Sequence, residues 1–587
     1  RHRDPPAAGR ATRSRCGPGM KEPTRPIPQP TVDRDGSLVA HTVATPTAFK
    51  VRARVTIGSR KVIPVIFVPG IMGSNLRART DIASKPDAIL KPGEPAWRPP
   101  NGITDGFWEA RKWAERSPSE RQRILDGGAL EVDPNGQLGF APNTFDESVL
   151  RERGWGEVHA GSYGALLIDL QRHLDKTFQI SPQGGREIRH FWRRVMQSAP
   201  EAWGVRTIAK VTETELEKYA AYQYPVYAFG YNWLESCEKS ARLLRQRIDR
   251  IKAFWNERRH ECQQVILITH SMGGLVARAC ARVSPPGDGT APDIAGIIHA
   301  AMPALGAPVT YRRIACGTEG GRYTNGFLEN RTAGAISDIV GESSAETTPV
   351  MALSAGVMQL LPNHLYPKPW IIVKTTRAVN RRDEVRDHLA LPDGSPYDFY
   401  RDMKSWYRMI DPGLADPARR YSRLEDRVVD RITRAIGEAE RFHTQLLSSQ
   451  DSSKNDPQPY YHPNTYAFYG ADKLLKAYGQ IRWVAREPSV NPTVLTPSNV
   501  RTGQFESAAE DGAREVRIGG DMRLRFSVWP EDAHGDETVP VQSGAGPTAY
   551  IRQTFAPAGF RHQESFQPET MRLLIRHLIV KIVQDIR

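Results

Sequence analysis

Apolar runs of strand length recur along this chain, separated by stretches with helical spacing. The first is Val62-Ile63-Pro64-Val65-Ile66-Phe67-Val68, closed by the turn Pro69-Gly70-Ile71-Met72-Gly73-Ser74-Asn75-Leu76. A near-continuous apolar run predicts a strand covered on both faces. The pattern predicts further core strands at Pro225 to Gly230, from Val265 to the polar turn at Ser271, and at Ile294 to Ala300. Others follow at Thr465 to Gly470, Met522 to Val528 and Tyr550 to Phe555. Helical patterns run from Tyr163 to Leu174, Glu235 to Trp255, Tyr421 to Leu447 and Pro568 to Ile586, the last with proline near its first turn. Strands alternating with helices predict an α/β fold with a doubly wound, mainly parallel sheet.

The same pattern divides the chain. Residues 62–76 and 201–308 form the first part of the core, and 461–587 supply its last strands and closing helix. Residues 77–200, rich in tryptophan, proline and charge, and residues 309–460 are expected to be two large, mainly helical cap insertions. Val357 to Pro362 is apolar enough to line a slot, and residues 486–519 are expected to be a loop excursion.

At 587 residues the chain exceeds one ordinary domain, and 39% hydrophobic with 25% charged residues describes a globular protein. No run reaches the roughly 18 apolar residues of a membrane span. The N-terminus lacks the charged, apolar and small-residue succession of a secretory signal, so synthesis in the cytoplasm without a signal peptide is expected. The sequence begins at Arg1, and Met20 is an alternative start. Cys16, Cys237, Cys262, Cys280 and Cys316 are odd in number and scattered, which predicts reduced thiols rather than a disulfide framework or a metal site. Of the net charge of +14, residues 1–62 carry +9, from 13 Lys and Arg against 4 Asp and Glu. Residues 1–61 therefore read as a basic, proline-rich, disordered arm. Its charge suits a solubilising leader or contact with anionic lipid or a partner; nucleic acid is disfavoured, because no nucleic-acid-binding motif accompanies it.

Candidate chemistry lies in Thr269-His270-Ser271-Met272-Gly273-Gly274. A serine at a strand–turn–helix junction with glycine two residues later fits a strained nucleophile elbow. Small residues are wanted two before and two after the serine; Gly273 meets the second requirement and Thr269 departs from the first. The plainer alternative is a βα junction where serine caps the helix. The glycine turn after the first strand would expose backbone N–H groups, so Ile71 and Met272 are the candidate oxyanion donors. A serine hydroxyl needs a histidine to take its proton and a carboxylate to hold that imidazole in one tautomer. Asp536, in Gly535-Asp536-Glu537-Thr538-Val539-Pro540, is the preferred acid, with Glu537 and Asp532 as rivals. Thr538 could hydrogen-bond that turn. His562, between the last strand and the closing helix, is the preferred base; His577 reads as a packing or surface residue and His534 as a turn residue. No metal or organic cofactor is required.

With Val68-Pro69-Gly70-Ile71-Met72-Gly73-Ser74, His270-Ser271-Met272-Gly273-Gly274, Gly535 to Pro540, Gln359-Leu360-Leu361-Pro362 and the His562 loop, the chain resembles a known group of α/β-hydrolase lipases. These are the lipases grouped with lecithin:cholesterol acyltransferase, lysosomal phospholipase A and the GPI inositol-deacylases. The resemblance implies Ser271 as nucleophile, Asp536 as orienting acid, His562 as base, and Ile71 with Met272 as oxyanion donors. More narrowly, the chain resembles the antibacterial lipase effectors delivered by type VI secretion. That implies a membrane phospholipid substrate, an immunity protein as partner, a secretion-apparatus carrier and export to a target cell envelope. The expected activity is a serine esterase of the phospholipase A type. Lipid acyl transfer, a GPI inositol-deacylase-like reaction, peptidase action and an inactive hydrolase fold that binds membrane or protein are the alternatives.

Overall fold

A strand that is apolar at every position has no face to offer solvent, and Val65–Val68 (β1) is buried at all four positions. The same holds for Val226–Ala228 (β2), Val265–His270 (β3) and Ile294–Ala300 (β4). With Thr465–Phe468 (β5) and Gln553–Phe555 (β6) they form a six-stranded sheet in the order β6-β5-β4-β3-β1-β2. Every pairing in it is parallel. The computed structural model describes residues 31–32, 38–39 and 59–586, apart from 82–87, 99–112, 114, 140–144, 181–185, 319–340, 380–381, 422–426, 449–457 and 489–493.

Successive side chains of a strand point to opposite faces, and the core divides accordingly. Val65, Phe67, Ile266 and Ile268 belong to one buried cluster, and Ile66, Val68, Val265 and Leu267 to the other. The first face is covered by Ala160–His173 (α1) and by Glu569–Gln584 (α4), the second by Cys237–Glu257 (α2) and Gly273–Val283 (α3). The chain runs from β1 outward to β2, then returns to the other side of β1 at β3 and continues outward through β4, β5 and β6. Connections leave β1 and β3 in opposite directions, so a crevice opens between their C-terminal ends. The Gly70 turn and Ser271 both lie there.

The mainly parallel α/β sheet is as the sequence predicts, and residues 77–200 are mainly helical where described; the departure lies in residues 309–460, which also supply strands. A second, mixed six-stranded sheet has the order Arg382–Leu391, Ile371–Val379, Ile481–Arg486, Met522–Val528, Arg514–Ile518, Gln504–Ala508. Met522 to Val528 therefore belongs to this sheet rather than to the core sheet, and within residues 486–519 the helix Pro497–Arg501 and the strands Gln504–Ala508 and Arg514–Ile518 interrupt the expected loop excursion. Two strands of residues 309–460 enter the same sheet, and helix there is confined to shorter pieces such as Val428–Arg441. Within residues 77–200, α1 is no cap: Leu166, Leu167 and Leu170 are buried in the cluster against the central sheet. The slot expected at Val357 to Pro362 is core instead, with Met358 and Leu361 at 0% and 1% exposure.

The chain divides into residues 1–58 and 59–587. In the first unit, Thr31–Val32 pairs antiparallel with Leu38–Val39; most of the expected basic arm, with Cys16, lies outside the described residues. Cys237, Cys262, Cys280 and Cys316 are free and buried. Among the described residues no helix is long and apolar enough to cross a membrane.

Candidate active site

Ser271 occupies the single turn between β3 and α3, with φ +50, a left-handed conformation that strains any side chain carrying a Cβ. Its N–H donates to the Ala300 carbonyl (2.9 Å) and its carbonyl accepts from Gly274 (2.9 Å). A Cβ on Gly273 would lie 2.4 Å from the Pro69 carbonyl oxygen and 2.5 Å from that of Val68, so the helix can approach β1 this closely only without a side chain. At Gly70 a Cβ would meet the Ser271 Cβ and His270 Nδ1, each at 2.9 Å. The larger Thr269 fits because its hydroxyl turns to the neighbouring strand and bonds His299 Nδ1 (2.8 Å).

The structure brings Ser271, His562 and Asp536 together from three distant parts of the chain. His562 Nε2 is 2.9 Å from Ser271 Oγ, and His562 Nδ1 is 3.0 Å from Asp536 Oδ2. An ionised carboxylate only accepts, so Nδ1 carries the proton and Nε2 presents its lone pair to the serine O–H. Asp536 is fully buried, and its Oδ1 accepts from the Thr538 and Val539 N–H groups (3.1 and 2.7 Å). Thr538 thus hydrogen-bonds the turn, through its backbone N–H. The His562 N–H donates to the Asp536 carbonyl (2.9 Å), tying the two loops together. The other candidates are engaged elsewhere. Asp532 accepts from the Gly479 and Gln480 N–H groups, and Glu537 faces Arg561 at 3.5 Å. His577 is buried in α4 against Trp203, with ring centroids 5.1 Å apart, and His534 is exposed.

Met272 is the N-cap of α3 and Ile71 follows Gly70 in the crevice. The Gly73 N–H donates to the Gly70 carbonyl (3.1 Å), closing a tight turn with Met72 at φ +62. Among the described residues neither the Ile71 nor the Met272 N–H is engaged in a backbone hydrogen bond outside regular elements. Met272 directly follows Ser271 at the N-terminus of α3, where an N–H favours negative charge, and Ile71 directly follows Gly70, whose added Cβ would reach the Ser271 Cβ. Trp97 Nε1 donates to the Met72 carbonyl (2.8 Å), and Ser271 and His562 are each only 4% exposed.

Two side chains at this centre escape sequence reasoning. His270, beside the nucleophile in the motif, and Tyr163 of α1 are hydrogen-bonded to each other, Tyr163 Oη to His270 Nδ1 at 3.1 Å. His270 was visible within the quoted motif; nothing in the sequence singles out Tyr163.

Residues 222–316 match the PGAP1-like alpha/beta domain family. A chain of the crystal structure of the Tle4–Tli4 complex superposes with a TM-score of 0.68 at 27% identity, covering 89% of this chain and 99% of its own length. Comparison with curated proteins gives no match. The two matches bear out the resemblance to α/β-hydrolase lipases drawn from the motifs, and the fold is that of a hydrolase.

Proposed function

We propose that the protein is a serine esterase of the phospholipase A type, cleaving acyl esters of membrane phospholipids. The observation that carries this reading is the 2.9 Å approach of His562 Nε2 to Ser271 Oγ, with Asp536 behind the ring. His562 takes the serine proton as Oγ attacks the ester carbonyl, and Asp536 stabilises the imidazolium that forms. The tetrahedral oxyanion is received by the Ile71 and Met272 N–H groups, which need no reorientation because the turn and the helix terminus hold them in place. His562 returns the proton to the leaving lysophospholipid alcohol. A water, deprotonated by the same histidine, then attacks the acyl-enzyme and releases the fatty acid.

Lipid as the ester source rests on the lipase resemblance. The solved relative was crystallised as a complex of two proteins, Tle4 and Tli4. By analogy, we assign this chain a protein partner of the immunity type and delivery to a target cell envelope as a type VI effector. The deciding experiment is mass spectrometry of mixed phospholipid and triacylglycerol vesicles incubated with the purified chain and with Ser271→Ala. Wild type should release free fatty acid and lysophospholipid, and the variant should lose about 10⁴-fold or more of that rate while remaining folded. Undiminished release by Ser271→Ala would move the nucleophile elsewhere.

A further inference from the structure

Between the glycine turn and the His562 loop runs a buried chain of hydrogen bonds that the ester reaction above does not itself use. The Gly70 N–H donates to the Tyr163 hydroxyl at 3.1 Å. That hydroxyl lies 3.1 Å from His270 Nδ1, and His270 Nε2 lies 2.9 Å from the His562 carbonyl oxygen. A carbonyl can only accept, so His270 carries its proton on Nε2. Its Nδ1 is then an acceptor and must be served by the Tyr163 O–H. Every donor and acceptor in the series is matched, in one direction, from the oxyanion turn to the backbone of the base.

We propose that Tyr163 and His270 are positioning residues that clamp the Gly70–Gly73 turn to the His562 loop, so that oxyanion donor and general base are held in one frame. The inference rests on the Ser271-centred reading above. Three further observations support it. A Cβ on Gly73 would lie 2.5 Å from the Tyr163 hydroxyl, so the turn is moulded on this ring. The His562 carbonyl also receives the Ser565 hydroxyl (2.6 Å), so its orientation is fixed from two sides. The rings of Tyr163, His562 and Phe566 surround His270 with centroids at 5.6, 4.9 and 5.6 Å, which keeps water from replacing either partner. Burial, and secondarily the neighbouring His562, holds the His270 pKa well below its ordinary value, so the ring stays neutral as the relay requires.

Ser271 sits next in the chain to His270, and Ile71 next to Gly70. Loosening the clamp therefore disturbs both halves of the site while leaving the Ser271 backbone bonds to Ala300 and Gly274 in place. A misplacement of about 1 Å costs on the order of 10²-fold in rate. The test uses the full-length chain, a soluble short-chain p-nitrophenyl ester, and deuterium exchange read by mass spectrometry. Tyr163→Phe should lower kcat by about 10- to 100-fold with KM within about twofold. It should also speed exchange in the peptides containing residues 70–76 and 560–566 together, with a thermal midpoint close to wild type. His270→Gln, long enough to keep an N–H on the His562 carbonyl and to offer its Oε1 to the Tyr163 O–H, should retain most of kcat, whereas the shorter His270→Asn, which cannot reach both, should not. Wild-type kcat in Tyr163→Phe, or faster exchange in only one of the two peptides, overturns the clamp. So does equal loss in the Gln and Asn variants that merely tracks their thermal midpoints. Coupled exchange without any Ser271-dependent ester turnover would keep the clamp and remove the esterase reading, so the two ideas fail separately.

Discussion

At the scale of single residues, the elbow is made by exclusion of volume more than by any attractive contact. Gly273 has an ordinary helical backbone, so its requirement is purely steric: two backbone oxygens, of Val68 and Pro69, occupy the space of a Cβ. Backbone cannot swing aside as a side-chain tip can. Gly273→Ala should therefore push α3 from β1, carrying the Met272 N–H away from the serine. Overpacking of this kind costs about 1–3 kcal/mol. Urea unfolding should show that loss, and ester turnover should fall further than the lost folded fraction explains. Gly274 is the useful contrast. Its Cβ would meet Met302 Sδ, Cγ and Cβ at 2.5, 2.7 and 3.0 Å, side-chain atoms that can repack where backbone cannot, so Gly274→Ala should be the milder change. Equal stability losses in the two variants would contradict this account.

At the scale of elements, legibility followed burial. The parallel strands are buried on both faces, so they appear in the sequence as continuous apolar runs; the predicted Ile294 to Ala300 coincides with β4. Ser271, Asp536 and His562 were legible for a related reason. Ser271 and His562 sit in loops at the end of readable core elements, whereas Asp536 follows Ala533–Gly535, which pairs outside the central sheet with Asp472–Ala477, and was read from its turn motif and its order along the chain. The second sheet was missed because its strands are half-exposed and their charged faces dominate the composition. Arg514–Ile518 alternates buried and half-buried positions, with Val516 and Ile518 fully inside, a period of two that a search for apolar runs passes over. It also buries Arg514, whose guanidinium donates to the Trp406, Arg408 and Ala315 carbonyls, so a charge at a core position argued for the wrong environment. Tyr163 was hidden for a different reason: its partner His270 is 107 residues away, and its helix lay in a segment expected to be a cap. Trp483 of the second sheet is fully buried against Trp406 and donates to the hydroxyl of Tyr311 (3.2 Å), in the helix Pro308–Cys316 that follows β4. Trp483→Ala should cost about 3–5 kcal/mol in urea unfolding. If it leaves the main transition unmoved, the second sheet does not share the core's cooperativity.

At the scale of the whole molecule, histidines held neutral in the interior set the response to acid. Burial is the largest cause in each case, pushing His299 down to about 3 and His443 and His577 to about 4, with His270 also well below its ordinary value. All four are close to 6.5 once unfolded, so below that pH the unfolded chain binds more protons than the native one. Their contribution to stability is complete above about pH 6.5, declines as the pH falls, and is fully lost once the folded values are passed. Each fully titrating group adds roughly 1.4 kcal/mol per pH unit to that slope. Unfolding free energies measured in urea should thus be nearly flat from pH 8 to 7 and fall steeply between pH 6 and 5. His577 isolates the effect, because neither ring nitrogen has a hydrogen-bond partner among the described residues and the ring packs against Trp203. His577→Phe keeps an aromatic ring against Trp203 and removes the proton site. Near pH 8 it should match wild type, and between pH 6.5 and 5.5 it should lose roughly 1 kcal/mol less stability. An unchanged slope in that variant would mean that His577 is protonated in the native state, and that the helix carrying it opens to water well before the molecule unfolds.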